Sequence, residues 1–305
     1  MKKYLPFSLI LLFSFGCSFD TAVPVGKNKS TVLDSLNGFC ILFDSSNLIA
    51  TKDIDYYDFS THMVYLKDYN KILTPNNYQF VYRPFTVFTG KEAMYSGTFW
   101  PGYSNSMPAG AYIDYPSFYP AYVMRINYRP PFQQQDNPEN DPRKDERIVK
   151  ALKSSGLYHE GLTLIINESR INPGNEISIT FTIVNRDTFN YYILSPEKMG
   201  LSLFHYFTNG LILMNNQSGI LKHKITVDTT HYWSDWSMAW LEKLNGRDSL
   251  TWSISYEAFD PVPPGNYEAY FTFPGLSHIE LADVKRNDGR VWLGSLESKW
   301  DVTVE

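Results

Sequence analysis

The chain has 305 residues and a formal net charge of −5, with 27 basic and 32 acidic side chains. This acidic balance weighs against binding to a phosphate backbone, and we expect no nucleic-acid partner. Aromatic residues make up 16% of the chain, and proline and glycine, 18 of each, separate short apolar runs. The pattern predicts a mainly β fold, which we interpret as two β-sandwich-like domains joined by a short helix.

Residues 1–16 are a candidate leader. Two lysines precede an apolar run over residues 5–15, and Gly16 stands directly before Cys17. The apolar run is shorter than the ~20 residues that a helix needs to cross a bilayer, so it indicates targeting rather than a membrane span. The segment resembles the signal peptide of a bacterial, Bacteroidota-like lipoprotein, which implies that Cys17 is the lipidated residue.

The resemblance implies an anchor of acyl chains, such as palmitate, in the lipid bilayer of the cell envelope. We expect the outer membrane, because position 18 is Ser, and leave open which face the protein occupies. Ordinary secretion with cleavage after Gly16 is the alternative, and Cys17 would then be free to pair with Cys40. With Cys17 lipidated, Cys40 is predicted to be a buried strand residue. Residues 17–36 are predicted to form a tether.

Residues 37–131 are predicted to form an N-terminal β domain. Its strands are expected to begin at residues 39–43 and to end with residues 122–128, before two prolines. The stretch 100–119 is rich in Pro, Gly, Ser and Tyr and is predicted to be a long loop. Long ordered loops often carry function, so this stretch is a candidate binding region.

Residues 132–157 are predicted to be a linker followed by a helix. Asp141 can accept hydrogen bonds from the first free amides, Pro142 suits the first helical position, and Gly156 suits a left-handed C-terminus. The apolar stripe of this helix is formed by Ile148, Val149 and Leu152.

Residues 158–305 are predicted to form the second β domain. The Asn-Gly pair at 209–210 predicts a tight hairpin turn. The turn at 263–265, followed by an alternating strand that opens with Tyr267, resembles the penultimate strand of immunoglobulin-like bacterial domains, in which a corner tyrosine is tied to the preceding loop. This resemblance implies that residues 158–305 form an immunoglobulin-like β-sandwich. The insertion at 229–247 is predicted to contain a short amphipathic helix.

Motifs for catalysis and metal binding are missing from the sequence. The carboxylates of Asp53, Asp55 and Asp58 lack the glycine bend and the glutamate of a calcium loop, and the six histidines lack the spacing of a zinc site. A Gly-x-Ser-x-Gly nucleophile motif and a glycine-rich phosphate loop are also missing. We therefore predict no catalytic residue, no metal and no cofactor.

Aromatic residues in the long loop and in the insertion are the candidate ligand-binding residues. A ring with a polar tip offers a large contact area with few rotatable bonds, which suits stacking against sugar rings. The candidates are Tyr112, Tyr115, Tyr119, Tyr232, Trp233 and Trp236.

The leading hypothesis is a membrane-anchored envelope lipoprotein without enzymatic activity that binds a glycan or an envelope protein through these aromatic residues. A structural or interaction module of an envelope assembly is the first alternative. A hydrolase with its site at the junction of the two domains is the second, because carboxylates distant in sequence can converge in space.

Overall fold

The computed structural model describes residues 36–43, 47–68, 81–106, 108–115, 117, 119–130, 141–172, 177–208, 210–215, 219–222, 237–256, 259–275 and 281–305. The described residues are 57% strand and 14% helix, which confirms the prediction of a mainly β fold. The leader, the tether and Cys17 lie outside the described residues.

The described part of the first half contains strands β1 to β9. Their bounds are β1 (Phe39–Phe43), β2 (Asn47–Ile49), β3 (Ile54–Asp58), β4 (Met63–Leu66), β5 (Pro84–Thr89), β6 (Glu92–Pro101), β7 (Gly110–Tyr115), β8 (Val123–Arg125) and β9 (Asn127–Arg129). The stretch predicted to be a long loop therefore includes strand β7, and the predicted last strand is divided into β8 and β9.

The predicted helix is present as α1 (Glu146–Ser154). A 3₁₀ turn (Pro142–Lys144) precedes it, and the Asp141 side chain accepts a hydrogen bond from the Arg143 amide there. The N-cap of α1 itself is Asp145, which accepts from the Arg147 amide. Gly156 has a φ of +67°, the left-handed conformation expected at the C-terminus.

The described part of the second half contains strands β10 to β21 and three short helices. The strands are β10 (Tyr158–His159), β11 (Leu162–Ile171), β12 (Ile177–Asn185), β13 (Asn190–Leu194), β14 (Leu211–Asn215), β15 (Gly219–Lys222), β16 (Leu241–Leu244), β17 (Ser249–Tyr256), β18 (Gly265–Pro274), β19 (Lys285–Arg286), β20 (Gly289–Val291) and β21 (Ser295–Val304). The helices are α2 (Pro196–Met199), α3 (Leu201–Thr208) and α4 (Leu281–Val284).

The strands of the described residues form five sheets. Their orders are β2-β1-β5-β6-β7-β9, β10-β3-β4-β8, β11-β12-β17, β16-β13-β20-β19 and β15-β14-β18-β21. The sheets are arranged as five blades rather than two sandwiches, so the prediction of two β-sandwich-like domains is wrong. The strands of different sheets interleave along the chain, unlike the blades of a propeller built from sequence repeats.

The sheet β10-β3-β4-β8, which we call the central sheet, shows why the chain does not form two sandwiches. Its two faces belong to two different hydrophobic cores, and β4 is buried over its whole length. The face toward the larger core, which the second half mainly forms, carries Tyr56, Met63 and Tyr65. The face toward the smaller core, which includes Ile148 and Leu152 of α1, carries Tyr57, Val64 and Leu66. The first half thus contributes to both cores, and the boundary at 132–157 stays a prediction.

In the second half one prediction is corrected, one lies partly outside the described residues and one is confirmed. The stretch before the predicted hairpin turn at 209–210 forms helix α3 instead of a strand, and Gly210 follows with a φ of +54°. The described end of the insertion forms a 3₁₀ turn (Met238–Trp240) and strand β16, which pairs with β13, whereas residues 229–236 lie outside the described residues and the helix stays a prediction there. The corner contact is present: the Tyr267 hydroxyl donates to the Pro263 carbonyl at 2.7 Å.

Candidate functional site

The six-stranded sheet buries one face and leaves the other partly open. Alternation along β6 and β7 places Phe99, Ile113 and Tyr115 in the smaller core, while the side chains between them lie on the opposite face. We call this second surface the open sheet face. Its residues are Thr98, Trp100, Tyr112, Asp114, Asn127 and Arg129, all partly or fully exposed.

The pairing register brings these side chains together. In the parallel pair of β6 and β7, Trp100 lies beside Asp114. In the antiparallel pair of β7 and β9, Tyr112 lies opposite Asn127. The amide Nδ2 of Asn127 donates to Oδ2 of Asp114 at 2.9 Å. An indole, a phenol, a carboxylate and an amide therefore share one surface.

Trp100 is held in place at the end of β6. Its Nε1 donates to the Ser106 carbonyl at 2.9 Å, and the Tyr82 ring packs edge-on against the indole with 5.4 Å between ring centres. Tyr82 and Tyr103 are 62% and 68% exposed, so aromatic surface continues beyond the sheet. A ring that its own chain already positions loses little side-chain entropy when a ligand stacks on it.

Arginine side chains lie near the phenol and the carboxylate of this face. Burial raises the pKa of the Asp114 carboxyl, and the Arg125 charge and the Asn127 hydrogen bond limit the rise. Burial also raises the pKa of the Tyr112 phenol, with a further increase from Asp114, while Arg125 and Arg129 oppose it. The arginine charges therefore favour the ionised forms of both groups.

The aromatic residues predicted to bind a ligand lie in different environments in the structure. Tyr112 lies on the open sheet face, but Tyr115 is 3% exposed and packs in the smaller core, where its ring meets Phe99 edge-on. Tyr119 is partly buried against the larger core, and its hydroxyl accepts from Nη1 of Arg125 at 3.4 Å. The remaining candidates, Tyr232, Trp233 and Trp236, lie outside the described residues.

Sequence reasoning missed Trp100, Asp114, Asn127 and Arg129. The signal was the period-two spacing of Tyr112 with Asp114 and of Asn127 with Arg129, which puts each pair on one face of a strand. Residues 100–119 are predicted to be a loop, in which the spacing of Tyr112 and Asp114 has no meaning, whereas Asn127 lies in the predicted strand at 122–128.

A second polar cluster surrounds Asp58 at the central sheet. Its carboxylate is fully buried and accepts from the Ser60 amide, the Ser60 hydroxyl at 2.6 Å and the Thr61 hydroxyl at 2.8 Å. The indole Nε1 of Trp292 donates to Oδ2 at 3.0 Å. Burial raises the pKa of Asp58, and these hydrogen bonds act against the rise. A carboxylate with four donors from its own chain is arranged for structure rather than for proton transfer.

Asp187 is satisfied in a similar way. It accepts from the Glu160 amide, the Gly161 amide and the Tyr191 hydroxyl, the last at 2.6 Å, and Nδ1 of His159 lies 3.6 Å from Oδ1. Burial raises the pKa of Asp187, but the His159 ring and the Tyr191 hydroxyl bring it below its ordinary value. The carboxylate fixes the loop after β10, which is a structural role.

A third polar cluster contains His62. Its Nδ1 lies 3.0 Å from the Tyr57 hydroxyl, and its Nε2 lies 4.0 Å from Asp141, which Arg143 holds through hydrogen bonds to both carboxylate oxygens. Burial, together with the Arg143 charge, lowers the pKa of His62 to about 3. The ring is therefore neutral in the folded protein at neutral pH.

Three further observations concern the remaining predictions. No group of three or more His, Cys, Asp or Glu side chains in the described residues is placed to hold a metal ion. Within the same ranges, no helix combines the length and the apolarity needed to cross a bilayer. Cys40 is a buried thiol in β1, which confirms its prediction as a buried strand residue.

Comparisons with known proteins identify no family for this chain. No protein-family model and no curated protein matches it. A comparison with solved structures finds the crystal structure of the yjhA protein from Bacillus subtilis, at 11% identity, with 48% of this chain and 94% of that chain covered and a TM-score of 0.24. A similarity at this level carries no argument about fold or function.

Proposed function

We propose that the protein is a lipid-anchored component of the cell envelope that binds a glycan through the open sheet face and catalyses no reaction. The observation that carries the proposal is the juxtaposition of Trp100 and Tyr112 with Asp114 and Asn127 on one partly exposed surface.

The chemistry of a sugar ring fits this surface. A pyranose presents apolar C–H groups on its faces and hydroxyl groups at its edge, so it needs a flat apolar partner and polar groups beside it. Trp100 and Tyr112 supply the flat partner, and the carboxylate of Asp114 and the amide of Asn127 can accept and donate hydrogen bonds at the edge. A sheet also holds these groups more rigidly than a loop does.

Affinity electrophoresis tests the glycan proposal. The protein is run in native gels that contain a panel of dissolved neutral and acidic polysaccharides, and retardation measures binding. A glycan that retards the parent protein should retard Trp100→Ala about tenfold less, since a stacked aromatic at the centre of an interface contributes this much or more. Tyr112→Ala should show a loss in the same direction.

Tyr270→Ala is the matched control for these variants. Tyr270 is a partly exposed ring on β18, where Lys299 lies over it, and it shares no contact with the open sheet face. The control should bind like the parent protein. Retardation that is the same for the parent, Trp100→Ala and Tyr112→Ala would contradict the assignment of this face.

A separate experiment tests the anchor. The full-length chain and its Cys17→Ser variant are expressed in a bacterium with lipoprotein processing, and the membrane fraction is compared with the soluble fraction. The parent should be recovered with the membranes, with the mass of an acylated N-terminus at Cys17, and the variant should be released, because several acyl chains are needed for firm attachment. An unmodified Cys17 in the parent would contradict the anchor.

A structural or interaction module is the second candidate function. The observation that favours it is an exposed apolar pair on the outermost strand of its sheet: Ile220, 57% exposed on β15, lies opposite Met214, 37% exposed on β14. Crosslinking in intact cells should then recover a defined partner with the parent and lose it with Ile220→Glu. Recovery that is equal for both proteins would count against this candidate.

A further inference from the structure

We propose that the glycan bound by the open sheet face is an acidic polysaccharide whose uronic-acid carboxylates are recognised by Arg125 and Arg129. The inference rests on the proposed function and names the class of its ligand. It is carried by the placement of two arginines beside the aromatic groups of the face.

The pairing register places Arg129 on the same surface as Tyr112, and Arg125 lies at the end of a neighbouring strand. Arg129 lies opposite Gly110, two residues from Tyr112 along β7. Arg125 ends strand β8 of the central sheet, only Ile126 separates it from β9, and β8 contacts β7. The Arg125 charge also lowers the pKa of the Asp114 carboxyl, which agrees with a position close to β7. Asn127, which lies opposite Tyr112, stands between the two arginines in the sequence.

The local charge differs in sign from the charge of the chain. The whole chain has a net charge of −5. Among the charged groups that act on the Tyr112 phenol, however, three are arginines, Arg125, Arg129 and Arg143, and one is Asp114. An excess of arginine over carboxylate beside a candidate binding surface favours a ligand of negative charge there.

The three arginines differ in how far their own chain satisfies them. Arg143 donates to both oxygens of Asp141 and to the Ile126 carbonyl, so it is committed to the structure. Arg125 makes one contact of 3.4 Å with the Tyr119 hydroxyl, and its Nε has no hydrogen-bond partner among the described residues. Arg129 is exposed, with no carboxylate of the described ranges at ion-pair distance.

A carboxylate is the group that suits these guanidinium donors. The two N–H groups on one edge of a guanidinium match the two oxygens of a carboxylate, and the pair forms short charge-assisted hydrogen bonds. A polymer of uronic acids also repeats its carboxylate along the chain, so one extended ligand can reach both arginines while its rings stack on Trp100 and Tyr112. A neutral glycan would leave both charges without a partner.

The test uses polygalacturonate, alginate and hyaluronate, each beside its carboxyl-reduced form, which keeps the linkages and removes the charge. At least one acidic polymer should be bound about tenfold more tightly than its reduced form, with an affinity that falls as NaCl rises from about 0.05 to 0.5 M. Arg129→Gln and Arg125→Gln should each lower the affinity for that polymer about tenfold. Arg170→Gln is the control, because Arg170 is an exposed arginine on β11 whose partner is Glu168.

The outcomes separate this inference from the proposed function. If a neutral or reduced glycan is bound as tightly as the acidic one, with loss of binding in Trp100→Ala but not in Arg129→Gln or Arg125→Gln, the carboxylate inference is overturned and the glycan function stands. If no glycan is bound, or if Trp100→Ala binds like the parent, both fail. Far-ultraviolet circular dichroism of each variant identifies any loss that reflects misfolding, and Arg129→Lys, which keeps the charge without the fork geometry, should recover only part of the affinity.

Discussion

The buried cluster around Asp58 and the open sheet face are built from the same kinds of group but differ in how the chain satisfies them. Asp58 accepts four hydrogen bonds and is closed to solvent. Asp114 accepts one from Asn127 and remains partly exposed beside Trp100. Both regions contain a carboxylate and an indole. The indole of Trp292 donates a hydrogen bond to Asp58, whereas the indole of Trp100 donates to the Ser106 carbonyl and not to Asp114.

The difference teaches that the number of donors already supplied by the chain distinguishes a structural polar group from one that is ready for a ligand. A buried group must be satisfied internally, because its desolvation is not offset otherwise. A partly exposed group keeps unused acceptor capacity that water fills until a ligand replaces it. Four predictions test this distinction between structural polar groups and groups that are ready for a ligand.

The largest expected effect is that of Asp58→Ala. The substitution leaves buried donors of Thr61 and Trp292 without their acceptor, so the free energy of unfolding should fall by about 3 kcal/mol or more. Trp292→Phe removes a single donor from Asp58 and keeps most of the packing, so its loss should be smaller. Urea unfolding at neutral pH measures both, and a loss below about 1 kcal/mol for Asp58→Ala would refute the structural role.

The second effect is a pH dependence from His62. Its pKa is lowered to about 3 in the folded protein, while the unfolded chain takes up a proton near pH 6.5. The unfolded state then binds more protons, so the contribution is complete above about pH 6.5 and is lost as the pH falls toward 3, by at most about 1.4 kcal/mol per pH unit.

The variant His62→Asn isolates this contribution. Asparagine tolerates the positive φ of 54° at position 62 and does not titrate. The difference in unfolding free energy between parent and variant, measured by urea at several pH values, should shrink as the pH decreases below about 6.5. Two curves that stay parallel over this range would show that the ring is not held neutral by burial.

The third effect concerns the corner tyrosine. Tyr267→Phe removes the hydroxyl that donates to the Pro263 carbonyl and should lower the free energy of unfolding by about 1 kcal/mol. Tyr112→Phe is the matched control on the open sheet face, and its stability should stay within about 0.5 kcal/mol of the parent. Equal losses for the two variants, measured by thermal or urea unfolding, would remove this contrast between the regions.

The smallest expected effect on stability is that of Asp114→Asn. The side-chain oxygen that remains can still accept from Asn127, and the group is partly exposed, so the free energy of unfolding should change by less than about 1 kcal/mol. Glycan retardation in the native gel should nevertheless decrease, because one acceptor of the ligand is weakened. A large loss of stability would place Asp114 with Asp58 among the structural carboxylates.

The sequence was sufficient for features that depend on local patterns. The mainly β class follows from aromatic and β-branched runs between turns, the helix at 146–154 from its apolar stripe and Gly156, and the Tyr267 contact from the turn before its strand. The N-cap was predicted at Asp141 but is Asp145. Each of these depends on residues within a short stretch of chain, where propensity and capping chemistry act.

The sheet arrangement depends on partners that are distant in sequence. Strand β10 pairs in parallel with β3, and β13 pairs in parallel with β20, pairings that no local pattern specifies. Strand β4 is buried on both faces, so its residues do not alternate and do not indicate which core they serve. The candidate site was only half predicted for the same reason: Tyr112 was found, but Trp100 and Arg129 join it only through the register of β6, β7 and β9.

The hydrogen bond between Trp292 and Asp58 joins residues 234 positions apart. Contacts of such separation form late, because the entropy of closing a long loop must be overcome before they add stability. While the chain is being synthesised, Asp58 lacks this donor until Trp292 has emerged from the ribosome. We therefore expect the central sheet to reach its native packing only after the strands around Trp292 are available to cover it.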